Sequence, residues 1–63
     1  MPYIHIRLAG ELSREQKKQI VEEFTATMER VANKPREYVI VNIEETKEEN
    51  WGWGGVMLDE VDG

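Results

Sequence analysis

From Pro2 to Leu8 the chain alternates: Pro2, Ile4, Ile6 and Leu8 fall on one side, Tyr3, His5 and Arg7 on the other. A period of two predicts a β-strand with two unlike faces over residues 2–8. Beyond a short connection the period changes. Ser13-Arg14-Glu15-Gln16 matches a capping box, with Ser13 as N-cap and Gln16 reaching back from the third helical position. Ile20, Val21, Phe24, Met28, Val31 and Ala32 then recur at helical spacing, opposite Lys17, Lys18, Glu22 and Glu29. The helix spans about residues 14–33 and is ended by Pro35, which pushes Lys34 out of helical geometry.

Residues 38–43, Tyr-Val-Ile-Val-Asn-Ile, form a nearly continuous apolar run rich in β-branched side chains. Such a run reads as a second strand covered on both faces, as in parallel sheets. Residues 44–50 read as an acidic, solvated turn. Trp51-Gly52-Trp53-Gly54-Gly55 carries hairpin chemistry, its glycines supplying positive φ between aromatic anchors. Residues 56–58 read as a short further strand, and residues 59–63 as a frayed end. The expected fold is α/β: a β-α-β unit with two parallel strands, one long helix and a C-terminal β-hairpin, in a single domain over residues 1–63.

Length makes that unit incomplete. A chain of 63 residues buries only about 60% of its unfolded surface, so it needs disulfides, a metal or partners. It has no cysteine and one histidine, His5, which removes disulfides and gives no metal-ligand spacing. Partners remain. One helix covers one face of a two-stranded sheet, and the other face together with the Trp51/Trp53 hairpin lacks a place in a monomer core. Self-association is therefore expected. A net charge of −5 argues against nucleic acid, and no apolar run reaches the length of a membrane span or signal peptide. A cytoplasmic location is expected.

The candidate chemistry sits at the amino end. Methionine before proline is usually trimmed, which leaves Pro2 as a free secondary amine. An α-amino group titrates closer to neutrality than lysine, and apolar surroundings lower its pKa further. Neutral near pH 7, it is a usable general base, and here it opens a strand instead of a tail. Arg14 and Arg30 read as solvated helix charges. Arg7 and Arg36 are the candidates to hold a substrate carboxylate bidentately. His5 reads as structural, with no orienting partner from which to build a triad. Glu44, Glu45, Glu48 and Glu49 read as solvated.

Taken in order, Pro2-Tyr3-Ile4-His5-Ile6, Ser13-Arg14-Glu15-Gln16-Lys17, Asn33-Lys34-Pro35 and Trp51-Gly52-Trp53-Gly54-Gly55 resemble the 4-oxalocrotonate tautomerase family, without gaps from Pro2 to about Leu58. The resemblance implies a hexamer built as a trimer of dimers. It also implies an amino-terminal proline that moves a proton on an enolic or unsaturated 2-oxo acid with no cofactor. Trp51 stands at the family's active-site aromatic. Leu12 and Ile40 stand where the founding enzyme has substrate-binding arginines, which implies a smaller or single-carboxylate enol such as a phenylpyruvate-like compound, held by Arg7 or Arg36. Trp53 falls where dehalogenating members carry a water-activating glutamate, so that activity is disfavoured. Two other readings fit the same chain: a catalytically silent oligomeric binding module, and one subunit of a hetero-oligomer whose second chain supplies the arginines.

Overall fold

Local sequence signals appear directly in the backbone. The computed structural model describes residues 1–61. Strand β1 runs over Tyr3–Ala9, helix α1 over Arg14–Ala32 and strand β2 over Ile40–Thr46, and a small hairpin of β3 (Gly52–Trp53) and β4 (Val56–Met57) follows. β1 and β2 pair in parallel, Tyr3 opposite Ile40 through Ala9 opposite Thr46. The capping box is formed: Gln16 N–H donates to Ser13 Oγ at 3.1 Å and Ser13 N–H to Gln16 Oε1 at 2.9 Å. Two otherwise orphaned amides at the helix start are thereby satisfied.

The helix ends earlier than proline alone requires. Asn33 adopts the left-handed conformation, φ 56° and ψ 42°, and the N–H groups of Asn33 and Lys34 both go to the Met28 carbonyl. Asparagine tolerates that conformation better than most residues, so Asn33 is the cap and Pro35 follows in extended backbone. The hairpin turns on Gly54 and Gly55, whose φ values of 60° and 86° are the two positive angles a type I′ turn needs.

The second strand differs from its sequence reading. Tyr38 lies in a single 3₁₀ turn over Arg36–Tyr38, and β2 starts at Ile40 and continues through Glu44, Glu45 and Thr46. Glutamate is a poor strand former, but cross-strand pairing decides here. Arg7, Leu8 and Ala9 extend the ladder against exactly these three residues, and each glutamate meets a cation on its own side. The expected solvated turn shrinks to one 3₁₀ turn, Glu48–Asn50. At the far end, residues 58–60 form another such turn instead of fraying, closed by Val61 N–H on the Leu58 carbonyl; residues 62 and 63 lie outside the described residues.

The helix covers one sheet face. Glu45 on β2 bonds Lys17 of α1 at 2.6 Å, and the pleat places Val41 and Ile43 with it, opposite Ile4, Ile6 and Leu8. Tyr3, His5, Arg7, Ile40, Asn42, Glu44 and Thr46 form the uncovered face, so β2 is not covered on both sides as its apolar run suggested.

Even the covered face is thin. Among the described residues no hydrophobic side chain is fully buried; Phe24 is 42% exposed and Val31 73%. The radius of gyration is 15.1 Å, with extents of 42 × 24 × 16 Å, against about 11 Å for a compact chain of this length. Such a subunit is shaped to be completed by others. Among the described residues, no helix is long and apolar enough to cross a membrane.

Candidate active site

A cleft of about 270 Å³ opens at the carboxyl end of the sheet, lined by Arg7, Glu44, Thr46, Asn50 and Trp51. Its geometry follows from the strand ends. Thr46 closes β2, and its hydroxyl donates to the Leu8 carbonyl at 2.7 Å while accepting from the Trp51 indole N–H. That relay fixes the indole plane beside the sheet. Trp51 remains 37% exposed, with its ring forming the apolar wall.

Arg7 projects into the same cleft from the uncovered face. Its Nε donates to Glu44 Oε1 at 2.8 Å, and His5 Nε2 lies 3.1 Å from that oxygen, where an Nε2–H tautomer donates to it. His5 therefore has an orienting partner, contrary to the sequence reading, and stacks loosely on Tyr3 with ring centroids 6.3 Å apart. Glu44 was expected to be solvated. It stays open to solvent, and the Arg7 hydrogen bond, helped by the charges of Arg7 and His5, holds its carboxyl below the ordinary range. Glu45 is lowered too, by the Lys17 hydrogen bond first and then by the Leu12 backbone N–H at 2.8 Å.

These shifts set a pH dependence. A carboxylate whose folded pKa lies below its unfolded value of about 4.5 adds stability above that value, and this is lost as pH falls through the folded pKa. Thermal melts at fixed salt between about pH 5.5 and 3 are expected to show a falling midpoint, with a shallower fall in the double variant Glu44→Gln/Glu45→Gln. Equal slopes in the two proteins would contradict both assignments.

The remaining sequence candidates lie at the other end of the sheet. Pro2 leads into β1, its carbonyl accepting Ile40 N–H at 3.0 Å. Arg36 sits in the turn before β2 and donates through Nε to Glu29 Oε1 at 3.1 Å. Five residues of extended chain put Pro2 and Arg7 about 17 Å apart. One chain thus unites Arg7 with Trp51, and keeps both away from Pro2 and Arg36. Glu44, Thr46 and Asn50 were not singled out as site residues. The clue available for Glu44 and Thr46 was alternation continuing past Ile43, with Asn42, Glu44 and Thr46 in phase with Arg7's face.

A family model described as "Tautomerase enzyme" matches residues 2–60. A probable tautomerase of Helicobacter pylori is 38% identical over 61 residues, covering 92% of this chain and 90% of that protein. The 2-hydroxymuconate tautomerase of Comamonas testosteroni is 34% identical over 61 residues, covering 97% of each. Among solved structures, the crystal structure of DmpI from Helicobacter pylori superposes with a TM-score of 0.85 at 33% identity, covering 95% of this chain and all of that one.

Proposed function

Because the chain belongs to the tautomerase family and is an isomerase, we propose that Pro2, freed of Met1, is its general acid and base. The reaction is a cofactor-independent proton shift on an enol or unsaturated 2-oxo acid. The observation that carries this reading is that the family match begins at Pro2, and that this residue is tied into the sheet by the Ile40 hydrogen bond. An amine there is held in place.

The neutral secondary amine takes the enol hydroxyl proton, and the resulting ammonium delivers a proton to the adjacent carbon, leaving the 2-oxo acid. Nothing is consumed, and the base is regenerated. Arg7 holds the substrate carboxylate and Trp51 supplies a dry wall that disfavours the charged amine. Arg36, at the Pro2 end, is a second cation near the same substrate.

Since Pro2 and the Arg7/Trp51 cleft stand at opposite ends of the sheet, a complete site takes two copies. A two-fold, antiparallel pairing of subunits brings the Pro2 end of each chain against the cleft of its partner. We assign the assembly as a homohexamer, a trimer of such dimers, acting in the cytoplasm. The exposed Tyr3, Ile40 and Trp53 supply apolar surface for the interfaces.

The test is a nitrogen-15 NMR titration of Pro2 in protein whose intact mass shows Met1 removed. The amine is expected to titrate below the ~8 of an ordinary α-amino group, with kcat/KM rising through the same ionisation as the base loses its proton. An amine that titrates as an exposed one would remove the case for Pro2.

A further inference from the structure

The cleft has a charge arrangement that neither Pro2 nor Trp51 explains. Glu44 Oε1 receives both Arg7 Nε and His5 Nε2, so a single oxygen anchors two side chains of β1. Guanidinium carries five N–H donors. Among the described residues, Nε is the Arg7 donor with a partner, which leaves the terminal amino groups for a ligand. The carboxylate that clamps Arg7 also lines the same cleft. An incoming carboxylate therefore meets one oriented cation with a fixed anion beside it.

We propose that Glu44 is a positioning and specificity residue. It aims the Arg7 guanidinium into the Trp51 cleft, and its charge admits a ligand with one carboxylate and an apolar remainder while rejecting a second carboxylate. The inference rests on the reading of Arg7 and Trp51 as substrate-binding groups. Three observations support it. The cleft's cation and anion are already paired at 2.8 Å, so the net charge offered to a ligand is near zero. The rest of the lining is an indole, a hydroxyl engaged on both sides and one amide, that of Asn50. The neighbouring turn adds acidic Glu48 and Glu49 to a Glu44 whose carboxyl the Arg7 hydrogen bond holds below its ordinary range.

Two substitutions separate the clamp from the charge. Glu44→Gln keeps an acceptor for Arg7 and removes the charge; Glu44→Ala removes both. With phenylenolpyruvate as the single-carboxylate probe and 2-hydroxymuconate as the dicarboxylate probe, E44Q is expected to shift the kcat/KM ratio about tenfold toward the dicarboxylate (~1.4 kcal/mol). E44A is expected to raise KM for phenylenolpyruvate about tenfold, with kcat changed less than about threefold. A residue that merely stabilises the sheet would lower both substrates together. An unchanged selectivity ratio in assembled E44Q, or a loss confined to kcat, overturns the proposal.

Binding measured on the unmodified protein keeps it testable if the variants fail to assemble. By tryptophan fluorescence, phenylacetate is expected to bind at least tenfold tighter than its 4-carboxy derivative, whereas equal or reversed affinities overturn the assignment. This readout needs no turnover. If Pro2 proves not to be the base, the fluorescence result still decides the role of Glu44.

Discussion

Pro2→Ala, in protein free of Met1, lowers kcat for phenylenolpyruvate ketonisation by about 10²-fold or more, since a positioned proton-transfer group contributes 10²–10⁴-fold. The substitution keeps an amine but loses the ring that fixes it and makes it secondary. A primary amine on a freely rotating bond no longer holds its lone pair on the reacting carbon. KM is expected to move little, because the proposed contacts to the carboxylate and the apolar remainder, Arg7 and Trp51, are unchanged. Molecules that retain Met1 show the full loss, since their Pro2 nitrogen is an amide and cannot take a proton. Activity should therefore scale with the trimmed fraction found by intact mass. Undiminished turnover by Pro2→Ala would mean that some other group moves the proton.

Trp53→Ala weakens assembly by about 30-fold per interface, the equivalent of roughly 2 kcal/mol for an interfacial aromatic. Trp53 is 87% exposed within one chain, and it stands on a hairpin directly before the tight turn at Gly54 and Gly55. Among the described residues nothing covers that ring. With no fully buried apolar side chain among the described residues, folding and assembly are expected to be one transition. The melting temperature should rise with protein concentration, and the variant should need more protein to reach the same midpoint. Sedimentation across micromolar concentrations, alongside melts, checks both. A cooperative, concentration-independent monomer would contradict the prediction. Trp51→Ala should show the same weakening together with a loss of substrate affinity, because that indole also walls the cleft and bonds Thr46.

What joins Arg7 to Glu44 is a feature that sits between residues, not within them. Each was visible in the sequence, Arg7 as a candidate carboxylate binder and Glu44 as one of four glutamates in an apparent turn. What was missing was the register that sets Arg7 opposite Glu44. The same register moved the start of β2 from Tyr38 to Ile40 and carried its end to Thr46. His5 changed its meaning with it, from a histidine without a partner to one bonded to the carboxylate that holds Arg7.

By itself the sequence determined every feature whose cause is local. Alternation made β1, the Ser13/Gln16 box started α1, and Gly54-Gly55 made the turn, because each depends on residues within a few positions of one another. It also determined that the subunit is unfinished, since length and the apolar surplus of sheet and hairpin need no coordinates to count. The tertiary structure alone decided which strand residues pair and which glutamate faces which cation. It also decided that Pro2 and the Trp51 cleft lie at opposite ends of one sheet. Those outcomes turn on contacts between residues about 37 positions apart, where loop closure and packing choose among registers that local propensity leaves nearly equal in energy.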